Sequence, residues 1–147
     1  MTPDERIVEA VERLMVEAIG VTTVALAQSA PDVDLSIAQW RALVVVSARE
    51  SGIRVGEIAA RMGSAVPTTS RLVRRLERRG LVVAQRDEAD RRATLVRLTD
   101  TGERIRNAIV DRRRQLVRDA LAARPEGLSG ELVGGLGEIG AALHRYE

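Results

Sequence analysis

The sequence contains no cysteine, no lysine and no phenylalanine, and it has one histidine among 147 residues. Without cysteine the chain forms no disulfide and offers no thiol nucleophile, thiol redox sensor or Cys/His zinc cluster. Ser–His–Asp catalysis would depend on His144, near the end of the sequence, where chains usually fray. We therefore expect no enzyme, no catalytic residue, no metal site and no cofactor.

Long apolar runs are also missing. No stretch approaches the roughly 20 apolar residues that a membrane helix needs. The first residues are acidic at Asp4, Glu5, Glu9 and Glu12, and they lack the basic start and apolar middle of a signal peptide. The sequence favours a cytoplasmic protein with no membrane partner, and its length is typical of a single domain.

The charge is unevenly distributed, although the net charge is only +2. Residues 54–97 hold eleven arginines and five acidic residues, whereas the remaining residues hold twelve arginines and sixteen acidic residues. Such a concentration is typical of a segment that binds nucleic acid. Arginine-rich helix surface that merely faces solvent explains the charge equally well.

Capping signals and periodicity predict helices in the first third of the chain. Thr2-Pro3-Asp4-Glu5 is typical of a helix start, and the apolar residues that follow predict a helix to about Gln28. Ser36 and Gln39 form a second capping box before the apolar run 42–46. Because that run is apolar nearly all round, we expect a central, buried helix.

The next segment predicts a helix-turn-helix. A short helix from Val55 to Met62 is broken by Gly63, and a second helix, with Leu72, Val73 and Leu76 facing inward, runs to Arg79. Gly80 is well placed as the left-handed residue that ends it. Taken alone the pattern is weak, because many helical proteins contain such a pair.

A charged hairpin makes the pattern specific. Residues 81–86 and 93–98 are typical of strands, and the polar residues 87–92 lie between them. Thr99-Asp100-Thr101-Gly102 then caps a long helix. Residues 125–127 interrupt that helix, and Ser129 caps a last one with apolar residues at Leu132, Leu136, Ile139 and Leu143.

The order of elements, with Asp87-Glu88-Ala89-Asp90-Arg91-Arg92-Ala93 leading to Leu98-Thr99-Asp100-Thr101-Gly102, resembles the MarR family of bacterial transcription regulators. Residues 71–82 resemble the recognition helix of that family running into its wing. The resemblance implies a mainly α fold, a winged helix-turn-helix with a two-stranded wing. It divides the chain into an N-terminal dimerisation helix (1–30), a DNA-binding lobe (31–100) and C-terminal dimerisation helices (101–147).

The resemblance also implies a function. We expect a homodimer on a pseudo-palindromic operator in double-stranded DNA, acting as a repressor that a small aromatic or anionic ligand relieves. Members that sense thiol oxidation use cysteine, which this chain lacks. The alternatives are a constitutive DNA-binding or architectural protein without an effector, and a winged helix used for protein contacts.

The expected DNA contacts follow from the docking of a helix-turn-helix, in which the N-terminal part of the second helix enters the major groove. This part contains Pro67, Thr68, Thr69, Ser70, Arg71, Arg74 and Arg75. Arg71 and Arg75 share a face, so one suits guanine and the other phosphate. Pro67 is equally explained by helix chemistry. The alternative for Arg74, Arg78 and Arg79 is that they only cover the solvent side, which we expect for Arg78 and Arg79.

The wing supplies the remaining expected contacts, Asp90, Arg91 and Arg92. Asp90 and Arg92 lie two residues apart, so in extended backbone their side chains share a side and can pair. The resemblance implies that Arg92 enters the minor groove, whose negative potential attracts arginine, while Asp90 holds it. A simple surface salt bridge, worth little on an exposed loop, is the alternative.

Two positions depart from the family pattern. Ala65 lies where a capping serine often precedes the recognition helix, and Ser64, one residue earlier, leaves the start of that helix open. Arg54 lies where a capping hydroxyl is common before the preceding helix.

The resemblance places an effector pocket along the buried helix, at Trp40, Arg41 and Val44. Trp40 and Tyr146 are the only aromatic residues, and Trp40 is either a core anchor or a stacking surface for a ligand. Arg41 suits a carboxylate. We expect His144 to be a surface or dimer-contact residue.

Overall fold

The computed structural model describes residues 2–30, 32–123 and 130–144. Within them the helices are α1 (Pro3–Ser29), α2 (Ile37–Val46), α3 (Val55–Arg61), α4 (Val66–Arg78), α5 (Asp100–Ala122) and α6 (Gly130–Leu143). The strands are β1 (Ile53–Arg54), β2 (Val82–Arg86) and β3 (Thr94–Leu98). The interruption predicted at 125–127, the cap at Ser129 and the aromatic Tyr146 lie outside the described residues.

The predicted helix starts are confirmed where a hydroxyl is available. Thr2 and Glu5 form a reciprocal capping box on α1, as Ser36 and Gln39 do on α2. The hydroxyl of Thr99 accepts the backbone N–H of Gly102 at 3.0 Å and caps α5. Each bond satisfies a donor that the first turn of a helix leaves without a partner.

The helix-turn-helix of α3 and α4 is also confirmed. Gly63 has a φ of +59° in the turn, and Gly80 has a φ of +67° after α4. The N–H of Gly80 donates to the carbonyl of Glu77 at 2.8 Å, and the N–H of Leu81 donates to that of Leu76 at 3.0 Å. This pair of bonds is a Schellman motif, so α4 ends at Arg78 and its direction into the wing is fixed.

The wing hairpin is confirmed, but the sheet has one strand more than the sequence predicted. β2 and β3 pair antiparallel from Val82 opposite Leu98 to Arg86 opposite Thr94. The two-residue β1 adds to the other edge of β3, with Ile53 opposite Val96, in the order β1-β3-β2. A strand of two residues has no alternation to recognise, which is why the sequence analysis missed it.

One apolar core joins the central helix, the helix-turn-helix and the sheet. Its most buried large side chains are Leu43, Ile53, Ile58, Leu76, Leu81 and Ile109, each at most 1% exposed. The central position predicted for α2 is thus confirmed. Met62, expected inward, is only half-buried because it lies at the C-cap of α3 and not within the helix.

The terminal helices leave apolar surface uncovered. Within the single chain, residues 3–20 of α1 include no buried residue, and neither does α6. The exposed apolar side chains include Ile7, Val8, Leu14, Met15 and Ile19 on α1 and Leu132, Val133, Leu136 and Leu143 on α6. A contiguous apolar face of this kind on a helix is typical of an interaction surface.

A tight joint connects the end of α4 to the start of α5. The hydroxyl of Thr99 donates to the carbonyl of Gly80 at 2.6 Å, and the N–H of Thr99 donates to that of Leu81 at 3.1 Å. A Cβ atom at Gly102 would overlap the carbonyl oxygen of Leu81. Glycine is therefore required at residue 102 for close approach and not for a left-handed backbone.

Replacing this glycine is expected to destabilise the protein. Gly102→Ala forces the backbone of residues 80–82 away from α5, and we expect a loss of about 3 kcal/mol in the free energy of unfolding, the upper range for overpacking. Chemical denaturation followed by circular dichroism measures it. Gly56→Ala is the matched control, since a Cβ there meets open space on an exposed helical position. Equal stability of the two variants would contradict the proposed joint.

Candidate nucleic-acid interface and ligand cavity

The α4 helix has one buried face and one strongly basic face. Val73 and Leu76 point into the core. The opposite side exposes Thr68 and four arginines, Arg71, Arg74, Arg75 and Arg78. The helix therefore presents a row of donors that suits phosphate oxygens and the acceptor atoms of base edges.

Two expected DNA contacts do not lie on this face. Thr69 is 1% exposed and lies one turn before Val73, so its side chain belongs to the core side of the helix and cannot reach a base. Ser70 is half-buried at the boundary of the two faces. Pro67 and Thr68, by contrast, are exposed in the first turn. Thr69 is therefore a core residue of α4 and not a candidate DNA contact.

The first turn of α4 has no side-chain cap. Ala65 is the N-cap residue, so the position predicted from the sequence is correct. Ser64 does not replace the missing hydroxyl: its backbone N–H completes the preceding turn by donating to the carbonyl of Ala59 at 2.9 Å. The helix start that the sequence left open is therefore Val66.

The far end of α4 is tied to the start of α2. The guanidinium of Arg79 donates to the carbonyl of Asp34 at 2.7 Å and to Oε1 of Gln39 at 3.3 Å. The same Oε1 atom accepts the N–H of Ser36 in the α2 capping box. The expectation that Arg79 only covers the solvent side is thus wrong, because its guanidinium bonds the end of α4 to the start of α2.

The wing loop, residues 87–93, differs from its prediction in one contact. The carboxylate of Asp90 accepts the backbone N–H of Arg92 at 3.1 Å, and its other oxygen lies 3.8 Å from the guanidinium of Arg54. No carboxylate of the described residues lies within ion-pair distance of the Arg92 guanidinium. Arg91 and Arg92 are both exposed. Asp90 therefore fixes the backbone at Arg92, not its side chain.

Arg54 makes the principal ion pair of the wing, a role that the sequence analysis did not foresee. It is the N-cap residue of α3, but its side chain does not cap that helix. Its guanidinium instead donates to Oδ2 of Asp87 at 2.7 Å. This bond, followed by the N–H of Ala89, lowers the pKa of the Asp87 carboxyl, and the carboxylate in turn raises the pKa of Arg54. Both groups therefore stay charged through the neutral range.

A cavity of about 300 Å³ lies between α1, α2 and α5. The three residues predicted for an effector pocket all line it. Trp40 is only 5% exposed, so it anchors the core and also presents part of its ring to the cavity, whereas Arg41 and Val44 are exposed. The full lining is Ala18, Ile19, Thr22, Ile37, Trp40, Arg41, Val44, Arg106, Val110 and Arg113.

Two further arginines reach this cavity from α5, and the sequence analysis missed them. The guanidinium carbon of Arg113 lies 6.0 Å from the centroid of the Trp40 ring, at the limit of a cation–π contact. The Nε atom of Arg106 is buried, and no acceptor bonds it in the described part of the chain. The spacing of Arg106, Val110 and Arg113 places them on one helix face, but no pattern in the sequence tells which element that face meets.

The same residues give no sign of a metal site or of a membrane-spanning helix. Among residues 2–30, 32–123 and 130–144, no group of three or more histidine and carboxylate side chains is placed to hold a metal ion. In those residues no helix has the length and apolar character needed to cross a bilayer.

The helix-turn-helix and the wing loop lie in the part of the chain that is similar to known proteins. A sequence profile of the MarR family matches residues 33–93, from just before α2 to the end of the wing loop. Over 72 residues the chain is 33% identical to the uncharacterized HTH-type transcriptional regulator YfiV of Bacillus subtilis strain 168. That alignment covers 49% of this chain and 44% of YfiV, which is less than half of either protein.

Two solved structures extend the similarity beyond the matched segment. A MarR family protein from Bacillus stearothermophilus is 28% identical, with a TM-score of 0.69, and the match covers 99% of this chain and 96% of that one. CouR from Rhodococcus jostii RHA1, solved with p-coumaroyl-CoA bound, is 25% identical, with a TM-score of 0.72 and coverage of 98% and 95%. The winged helix-turn-helix, the wing sequence and these matches agree in making the chain similar to proteins of the MarR family.

Proposed function

We propose that this protein is a homodimeric, sequence-specific DNA-binding transcriptional regulator, a repressor that a small aromatic anion releases from its operator. The observation that carries the proposal is the basic exposed face of α4 beside a wing with exposed Arg91 and Arg92, in a fold of the MarR family. Enzymatic chemistry has no comparable support from this site.

Sequence-specific binding is supported by two separate surfaces, the exposed face of α4 for the major groove and the wing loop for the minor groove. Thr68, Arg71 and Arg75 lie on the face that a helix-turn-helix turns to the major groove, and Arg74 borders it. Arg92 extends from a loop whose backbone is hydrogen-bonded, which suits insertion into a narrow minor groove. The partner is double-stranded DNA with a pseudo-palindromic site, because two symmetric subunits read two half-sites.

A homodimer is supported by the uncovered terminal helices. Ile7 and Leu14, one heptad apart on α1, are 53% and 54% exposed, and Val133 on α6 is 70% exposed. An isolated helix is marginal in water and gains most of its stability from packing an apolar face. Helices from residues 1–30 and 101–147 therefore form the dimer interface in our proposal, and residues 31–100 form the DNA-binding lobe.

An aromatic anion is the ligand that the cavity chemistry favours. Trp40 offers an aromatic surface, the guanidinium of Arg113 lies over its ring, and Arg106 adds a second positive charge to the lining. A cavity of about 300 Å³ is at the small end of ligand sites, which suits a ligand of one ring. CouR, of similar fold, was solved with p-coumaroyl-CoA bound.

The test of the proposal is a fluorescence-anisotropy titration against DNA that flanks the gene and against a duplex selected by the protein from a random library. Scrambled DNA is the control, and each titration is run at two salt concentrations. We expect preferential binding with two subunits per site. Binding to neither duplex at low salt would overturn the proposed function.

The Arg92→Ala substitution tests the wing contact. If each subunit neutralises about four phosphates, the logarithm of affinity falls with the logarithm of salt concentration at a slope near −7. Loss of Arg92 from both subunits should make that slope shallower by about 2 and weaken binding to all sequences, with stability unchanged. Arg49→Ala is the control, because it makes an equal charge change at an exposed residue outside α4, the wing and the proposed dimer helices. A wild-type slope in Arg92→Ala would contradict the assignment.

The Arg71→Ala and Arg75→Ala substitutions test base recognition. A bidentate contact to guanine gives a loss of about 1–3 kcal/mol that is confined to one operator position, whereas a phosphate contact weakens binding uniformly. Titration of operators substituted one base pair at a time distinguishes these results. We expect one of the two substitutions to weaken binding at a single operator position and the other to weaken binding uniformly. Uniform losses in both variants would exclude direct base reading by this pair.

The ligand proposal predicts a requirement for negative charge. Because Trp40 is the only tryptophan, its fluorescence reports directly on the cavity. We expect benzoate to quench it saturably and to weaken DNA binding, with benzamide, the neutral isostere, at least tenfold less effective. Arg113→Gln should reduce the preference for benzoate. Equal effects of benzoate and benzamide would contradict the role of charge, and quenching without loss of DNA binding would favour a constitutive DNA-binding protein.

A further inference from the structure

The contact between Arg54 and the wing joins two parts of the chain that are 33 residues apart. Its NH2 atom lies 2.7 Å from Oδ2 of Asp87, and its NH1 atom lies 3.8 Å from Oδ2 of Asp90. Asp87 is the more buried acceptor, with 13% of its side chain exposed, compared with 47% for Asp90. One guanidinium thus faces both aspartates of the wing loop.

Each aspartate uses its second oxygen to shape the loop. Oδ1 of Asp87 accepts the N–H of Ala89 at 2.9 Å, and Oδ1 of Asp90 accepts the N–H of Arg92 at 3.1 Å. Backbone bonds from Asp87 to Ala93 and from Ala93 to Asp90 close the loop. The position of the backbone at Arg92 therefore depends on two carboxylates, and Arg54 contacts both.

Arg54 is itself attached to the rigid part of the fold. It lies in β1 opposite Leu95, directly after Ile53, which is fully buried, and directly before α3. The base of the hairpin is held separately, because Oε1 of Glu77 on α4 accepts the N–H of Ala84 at 3.1 Å. Glu77 thus anchors the wing near its start, and Arg54 anchors its loop.

We propose that Arg54 is a positioning residue for DNA binding, which holds the wing loop through Asp87 and Asp90 so that Arg92 is presented to the minor groove. Arg54 acts through the two aspartates and not through a DNA contact of its own. This inference rests on the proposed function, since it concerns how the wing engages DNA.

Neutralising Asp87 distinguishes a positioning role from simple electrostatic attraction, because the two explanations predict opposite changes in DNA affinity. Asp87→Asn removes a negative charge from a surface that faces DNA, so attraction to phosphate alone predicts tighter binding. Positioning predicts the opposite, because the amide cannot keep the ion pair with Arg54. Glu88→Gln is the matched control: it removes the same charge from the adjacent exposed residue, and no hydrogen bond or ion pair of that side chain occurs in the described part of the chain.

We expect Asp87→Asn and Arg54→Gln each to lower operator affinity about tenfold, and the double variant to lose about tenfold and not a hundredfold, as for two residues acting in one contact. Glu88→Gln should bind at least as tightly as the wild type. Arg54→Lys should recover part of the loss. Unfolding midpoints should change little in these variants, since the Arg54 side chain is half exposed and solvent screens its ion pair.

Two outcomes would overturn the proposal. If Asp87→Asn binds the operator as tightly as Glu88→Gln, the ion pair has no positioning role. If the double variant loses the product of the two single losses in affinity, Arg54 acts independently of Asp87. Hydrogen exchange supplies a reading without DNA, with faster exchange of the Ala89 and Arg92 N–H groups expected in Arg54→Gln. Wild-type protein that binds no DNA would overturn the proposed function as well, whereas the first two outcomes overturn only the role of Arg54.

Discussion

The close approach of α5 to the end of α4 is the constraint on which the arrangement of the site depends. Gly80 turns the chain out of α4, Thr99 bonds the carbonyls of Gly80 and Leu81, and Gly102 leaves room for the Leu81 carbonyl. These contacts fix α5 against the base of the wing. They also fix the cavity, because Arg106 lies about one turn beyond Gly102 on the same helix.

The same helix gives a physical reason for a ligand in the cavity to affect DNA binding. Arg106 and Arg113 line the cavity from α5, whose first turn is joined to the residues that end α4. Trp40 lines it from α2, and Gln39 of that helix bonds Arg79 at the end of α4. A ligand that draws α2 and α5 together or apart therefore acts on both attachments of α4. Coupling requires such a difference in contacts between two states.

Local chemistry explains why so much of the fold was predictable. Capping boxes at Thr2 and Ser36, the glycine after α4 and the wing sequence each specify their own geometry within a few residues. The two errors had different origins, one within α4 and one in a contact distant in sequence. Thr69 looked available because its neighbours are polar, yet it shares the helix face of Val73 and Leu76. Arg79 was predicted to face solvent, because its acceptor, the backbone carbonyl of Asp34, lies 45 residues away in the sequence.

Arg54 departs from the family pattern before α3, and its side chain makes a contact that a capping hydroxyl could not make. A hydroxyl at this position would cap α3, whereas the arginine leaves α3 without a side-chain cap and reaches the wing. Residues 87–92 carry three acidic and two basic side chains, so the loop alone has a net negative charge that opposes phosphate. The positive charge of Arg54 brings the net charge of the loop to zero, next to the two aspartates that order its backbone. In the proposed complex the aspartates order the backbone without repelling DNA, and Arg91 and Arg92 supply the positive charge that faces it.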